Sequence, residues 1–151
     1  MSKKVKTMKI ITKIFMLSVV GLTLFSCAKP GCTDPSATNY NSAAKKNDGS
    51  CTYQTNLIFW QNQSAAESWA PLGVTSLKYY VNGTYVGSSV ATEYYPSQPS
   101  CSANGQASQV INLGQNTTGS VNVKITDQTG QSWYDEYITV DNSECNYYQF
   151  Y

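Results

Sequence analysis

From Asn56 onward, hydrophobic and polar residues alternate in short runs separated by turn residues; before that point they do not. Asn56-Leu57-Ile58-Phe59-Trp60 reads as a strand. Ser76 to Val90 reads as two strands about Asn82-Gly83, residues suited to the positive φ angles of a two-residue hairpin. Leu77, Tyr79 and Val81 then share one face of the first strand. Ser108–Leu113, Gly119–Thr126, Gln131–Val140 and Cys145–Phe150 continue the series, with Asp127-Gln128-Thr129-Gly130 as a turn. Val121, Val123 and Ile125 fall on one face. Helical periodicity is weak and confined to Ala65–Trp69. Strands this short and this regularly spaced predict an all-β fold over residues 54–151: an antiparallel β-sandwich, immunoglobulin-like or a small barrel.

Residues 31–53 have another texture, with Cys32 and Cys51 near their ends and almost nothing apolar between. Asp34-Pro35 and Asn47-Asp48-Gly49 are turn signals. A disulfide closing so short a loop contributes roughly 3 kcal/mol through loop-closure entropy, so a covalent staple takes the place of a core. Tyr40 and Tyr53 are expected to cover the bridge, with Ala37, Ala43 and Ala44 as small partners. Asp34, Asn39, Asn41 and Asp48 offer oxygen donors, but their spacing is not that of a calcium-binding EF-hand loop, and turn-forming hydrogen bonds are the simpler role.

The first 26 residues change the compartment. Lys3, Lys4, Lys6, Lys9 and Lys13 precede a charge-free, mainly apolar run from Ile14 to Ser26. That run is shorter than the ~20 residues of a membrane span and has the flanks of a signal peptide; Met8 is an alternative start. It ends in Leu24-Phe25-Ser26-Cys27, which resembles the lipobox of bacterial lipoproteins. The resemblance implies cleavage before Cys27 and acylation of its thiol, with residues 27–30 as anchor and linker. Two or three acyl chains then hold the protein on a membrane. No acidic run follows Cys27, where Ala28, Lys29 and Pro30 stand, which favours the periplasmic side of the outer membrane over the cell surface.

Loss of the signal region leaves five lysines against nine carboxylates and turns a net charge of +1 into −4. With no arginine and no basic footprint, nucleic acid is excluded as a partner. Besides Cys27, the cysteines are Cys32, Cys51, Cys101 and Cys145, an even set that suits structural disulfides in an oxidising compartment. A Cys101–Cys145 bridge would tie the chain's end to the middle of the β-domain and contribute roughly 4 kcal/mol on the same entropic basis.

Gly31-Cys32-Thr33-Asp34, Ala37-Thr38-Asn39-Tyr40-Asn41 and Asp48-Gly49-Ser50-Cys51-Thr52-Tyr53 together resemble a disulfide repeat of surface and secreted proteins from Bacteroidetes-type bacteria. The β-domain is similar to small lipoprotein domains of the same bacteria. Phe59-Trp60, Val81 to Gly87, Pro99-Ser100-Cys101 and Thr129 to Trp133 carry that likeness, with Asp135-Glu136 where those relatives often have glycine. Neither resemblance implies an activity.

No catalytic constellation emerges. The chain has no histidine, Asp135 and Glu136 are neighbours that a strand sends to opposite faces, and Glu67 and Glu93 belong to no motif. No metal or cofactor is expected, and no enzyme; an envelope hydrolase would need converging carboxylates. The remaining feature is aromatic: twelve Tyr, three Trp and four Phe, with Tyr79-Tyr80, Tyr94-Tyr95, Trp133-Tyr134 and Tyr147-Tyr148 as adjacent pairs. Trp60, Trp69 and Trp133 are the candidate ligand-facing rings, with Trp133 expected in the core and Trp69, beside Pro71, more exposed. The expectation is a lipid-anchored envelope protein with a structural or protein-binding role, and a glycan-binding lipoprotein is the alternative.

Overall fold

The computed structural model describes residues 28–151. The signal peptide and Cys27 lie outside the described residues. The chain opens with two two-residue strands, β1 (Pro30–Gly31) and β2 (Lys46–Asn47), paired in parallel. There follow β3 (Tyr53–Trp60), helix α1 (Gln63–Trp69), a 3-10 turn at Ala70–Leu72, β4 (Ser76–Val81) and β5 (Thr84–Val90). β6 (Ala107–Gly114), β7 (Thr118–Asp127), β8 (Ser132–Asp141) and β9 (Cys145–Gln149) complete it.

The seven long strands form two sheets packed as a sandwich, in the orders β6-β3-β9 and β5-β4-β7-β8. All pairings within them are antiparallel except β3 with β9, which runs parallel. The Asn82-Gly83 hairpin forms with φ angles of 48° and 78°, the left-handed pair that a two-residue connection requires. The alternation of Leu77, Tyr79 and Val81, and of Val121, Val123 and Ile125, points these side chains into the core. Leu57 and Phe59 meet them from the opposite sheet, and Tyr148 and Phe150 enter from the C-terminal segment. Phe59 lies 5.3 Å from Tyr79 and 5.7 Å from Tyr148, centroid to centroid, in tilted and edge-on contacts.

Both disulfides form as Cys32–Cys51 and Cys101–Cys145, with Cα atoms 4.8 and 5.7 Å apart. Cys32, Ala37, Cys51 and Tyr53 belong to the same buried cluster as Leu57 and Phe59, so the stapled segment and the sandwich share one core. Tyr53 is buried and donates to Asp34 at 2.7 Å, whereas Tyr40, expected over the bridge, is 46% exposed.

A second packed layer lies outside the three-stranded sheet. Ile58 and Trp60 point away from the central core yet are buried. The segment between β5 and β6 approaches Ile58 through Gly105, tied by the Cys101–Cys145 bridge and by Gln106 N–H donating to Phe59 C=O at 3.0 Å.

Candidate functional site

Three places combine polar chemistry with a defined shape: a buried polar network, the outer face of the four-stranded sheet, and a cleft beside the stapled segment. Gln61 is fully buried just past β3. Its Nε2 donates to the carbonyls of Ala91 and Glu93 at 2.8 and 2.6 Å, and its Oε1 accepts from Trp69 Nε1 at 2.7 Å. Gln106 joins by accepting from Gln61 N–H at 3.1 Å and donating to Glu93 C=O at 3.0 Å. Every group faces a partner and none faces a void, so this network is a fastening for α1 and the β5–β6 loop.

It also corrects the placement of two tryptophans. Trp69 is only 2% exposed, because α1 packs through Ala65, Ala66 and Trp69 and the indole needs Gln61. Trp133, expected in the core, is 37% exposed. β8 is an edge strand, and its register with β7 slips between Ile125, opposite Tyr134, and Thr126, opposite Ser132. Trp133 is the extra residue of that bulge, and bulges re-aim side chains. Its ring meets Trp69 edge-on at 5.3 Å, and its Nε1 donates to Asp127 Oδ2 at 3.1 Å. Trp60 is buried. The three indoles therefore make no common platform.

Asp127 is the polar centre of this corner. Its Oδ1 accepts from Thr129 Oγ1, Thr129 N–H and Gln131 N–H at 2.6, 2.8 and 3.0 Å. These bonds, the Thr129 hydroxyl first, hold its pKa below the ordinary 3.8, and the Trp133 indole adds to the effect. The folded value lies below the unfolded one, so the stabilisation is complete above the unfolded value and disappears as pH falls through the folded one. Replacing Asp127 by Asn should therefore lower Tm at neutral pH, and the gap to wild type should narrow below about pH 4. Thermal melts followed by circular dichroism across that range check it; a gap independent of pH would contradict the assignment.

The outer face of the four-stranded sheet holds two exposed tyrosines, Tyr85 and Tyr137. A cross-strand row runs Tyr85, Tyr80, Lys124, Asp135, and the next row places Asn122 opposite Tyr137. Tyr80 and Tyr85 meet edge-on at 5.8 Å. Lys124 Nζ pairs with Asp135 at 2.9 Å, and Asn122 donates to the same carboxylate at 3.0 Å. Tyr85 is 54% and Tyr137 76% exposed. Glu136, opposite Val123 in the ladder, accepts from the Tyr148 hydroxyl, so Asp135 and Glu136 occupy opposite faces. Burial first, and then Glu136, raises the Tyr148 pKa.

The cleft of about 380 Å³ lies between the stapled segment and the outer side of β3. Ser36, Thr38, Gln54, Asn56, Asn142 and Glu144 give it hydroxyl, amide and carboxylate groups, and Val110 a single apolar wall. The sequence carries no local signal for it, because its lining comes from four separate stretches of chain.

Asp34, Asn39, Asn41 and Asp48 of the stapled segment are all engaged in hydrogen bonds within it. Asp34 accepts from Ser36 N–H and from Tyr53, Asn41 from Ala43 N–H, and Asp48 from Ser50 N–H. Asn39 bridges the segment's two halves, donating to Ser50 C=O at 2.6 Å and accepting from Thr52 N–H at 2.9 Å. The residues of the repeat-like pattern are thus its local fasteners.

No family model, curated protein or solved structure matches the chain.

Proposed function

We propose that the protein is a lipid-anchored component of a bacterial cell envelope whose sandwich offers a non-catalytic surface to a protein partner. The observation that carries this reading is the outer face of the four-stranded sheet, where Tyr85 and Tyr137 stay exposed around the Lys124–Asp135 pair. Exposed tyrosines around a polar centre suit a protein contact, since each ring gives large contact area with few rotatable bonds. The lipobox-like Leu24 to Cys27 supplies the anchor.

Two experiments test the two halves. Cys27→Ser should abolish palmitate labelling and release the protein from the membrane fraction. A variant that stays membrane-bound, with an unlabelled wild type, overturns the anchor. A photo-crosslinking residue at position 137 should give one discrete protein adduct in intact cells, and that adduct should vanish when Tyr85 is changed to Ser.

The cleft favours a second reading, a small polyhydroxylated ligand, because hydroxyls and amides line it beside one apolar wall. Absence of the position-137 adduct, together with saccharide binding that Asn56→Ala abolishes, would move the function there.

A further inference from the structure

The pairing of β1 with β2 brings the backbones of three lysines side by side. Lys45 N–H donates to Lys29 C=O at 2.9 Å, and Lys46 stands opposite Pro30 in the ladder. Lys29, Lys45 and Lys46 are all exposed. They are three of the five lysines that remain after residue 26. Among the described residues, none of their ammonium groups has an ion pair; the pair observed there belongs to Lys124. The two carboxylates of residues 28–53 are engaged in hydrogen bonds: Asp48 accepts from Ser50 N–H at 3.0 Å, and Asp34 from Ser36 and Tyr53.

The rest of the chain has the opposite sign. Residues 28–53 carry three lysines against two aspartates, a net +1, while residues 54–151 carry two lysines against seven carboxylates, a net −5. The molecule is therefore an electric dipole whose positive end lies two residues from Cys27, at Lys29.

We propose that Lys29, Lys45 and Lys46 form a docking patch for the anionic phospholipid headgroups of the anchoring membrane. This rests on the lipid-anchor reading, and it adds an orientation to it. The lysines are drawn to headgroup phosphates within a Debye length of the surface. The acidic sandwich is repelled by the same surface. Together these forces seat the stapled segment on the bilayer and hold the sandwich, with its tyrosine face, off it. The β1–β2 bridge is what makes one patch, because Lys29 and Lys45 are far apart in sequence.

The test uses the chain from Cys27 to Tyr151, which contains the whole core and both disulfides. The thiol of Cys27, the fifth cysteine, is coupled to one maleimide-linked myristoyl-length chain. A single chain gives marginal, reversible binding, with an association constant of about 10⁴ M⁻¹, so added electrostatic attraction is measurable. Sedimentation with phosphatidylglycerol–phosphatidylcholine vesicles should show binding about ten- to a hundredfold tighter than with phosphatidylcholine alone. The gain should vanish in about 1 M salt. It should also vanish when Lys29, Lys45 and Lys46 are all changed to Gln, return when all three are Arg, and survive Lys78→Gln on the outer sheet face. Equal binding to the two vesicle types, or a gain that persists in the triple Gln variant, overturns the proposal. Because the chain is attached chemically, a protein that cells never acylate fails the Cys27 labelling test and still passes this one.

Discussion

Gly105→Ala should destabilise the protein by about 4 kcal/mol, enough to leave much of a marginally stable domain unfolded. Gly105 has φ +59°, and a methyl group there would stand 2.2 Å from the carbonyl oxygen of Phe59 and 2.7 Å from Ile58 Cγ2. Left-handed backbone costs a non-glycine residue about 1–2 kcal/mol, and overpacking a close contact adds about 1–3 kcal/mol. Relief is blocked on both sides. The Phe59 carbonyl is held by Gln106 N–H, and the Gly105 carbonyl accepts from the Tyr95 hydroxyl at 3.0 Å. Gly130→Ala separates the two effects, since its φ is +90° but nothing lies within 4 Å of the added carbon. It should lose only the backbone share, about 1–2 kcal/mol. Urea denaturation of both variants checks the pair, and near-equal losses would show that crowding at Gly105 is absent.

Elements set by local pattern were legible before the structure. Asn82-Gly83 demanded a hairpin, and alternation in β4 and β7 named the inward faces, because period-two burial is a property of the strand itself. The two disulfides also follow from the sequence reading. What it missed depends on neighbours distant along the chain. Trp133 sits in a long, central-looking strand, and only the partner register shows that it occupies a bulge on an edge. Trp69 sits in an irregular stretch beside Pro71, and its burial needs Gln61 Oε1 as an acceptor. Tyr40 and Tyr53 have similar contexts, but only Tyr53 continues into β3 and reaches the core. The parallel pairing of β9 with β3 had no local signal either. The tyrosine face was half legible. Adjacent aromatic pairs do send one ring out, as Tyr80 beside Tyr79 shows, but which sheet side stays open depends on where the β5–β6 loop lies. That loop approaches the three-stranded sheet at Ile58, while Tyr85 and Tyr137 on the four-stranded sheet stay exposed.

Gln61→Leu should cost about 4 kcal/mol, although the new side chain is close in volume and more hydrophobic. The substitution removes the acceptor of Trp69 Nε1 and the donor to Ala91 C=O, both in buried surroundings. Glu93 C=O keeps a partner in Gln106, so two groups and not three are orphaned. Each buried unsatisfied group costs about 1–3 kcal/mol, and the sum sets the expected loss. The damage should be directional. Gln61 N–H and C=O keep Gln106 and Tyr95, so β3 holds its place, while the indole loses its tether. Trp69 packs edge-on against Trp133, whose own indole is bonded to Asp127. Loosening α1 should therefore expose both rings and red-shift tryptophan emission before the β-sheet signal melts. Hydrogen exchange should rise first at Ala65, Ala66 and Gly73, the amides bonded to Asn62 and Ala70 within α1 and its 3-10 extension. Amides of β4 and β7, paired deep in the four-stranded sheet, should keep wild-type protection until global unfolding. A variant as stable as wild type, with unchanged emission, would mean that Gln61 fills space and fastens nothing.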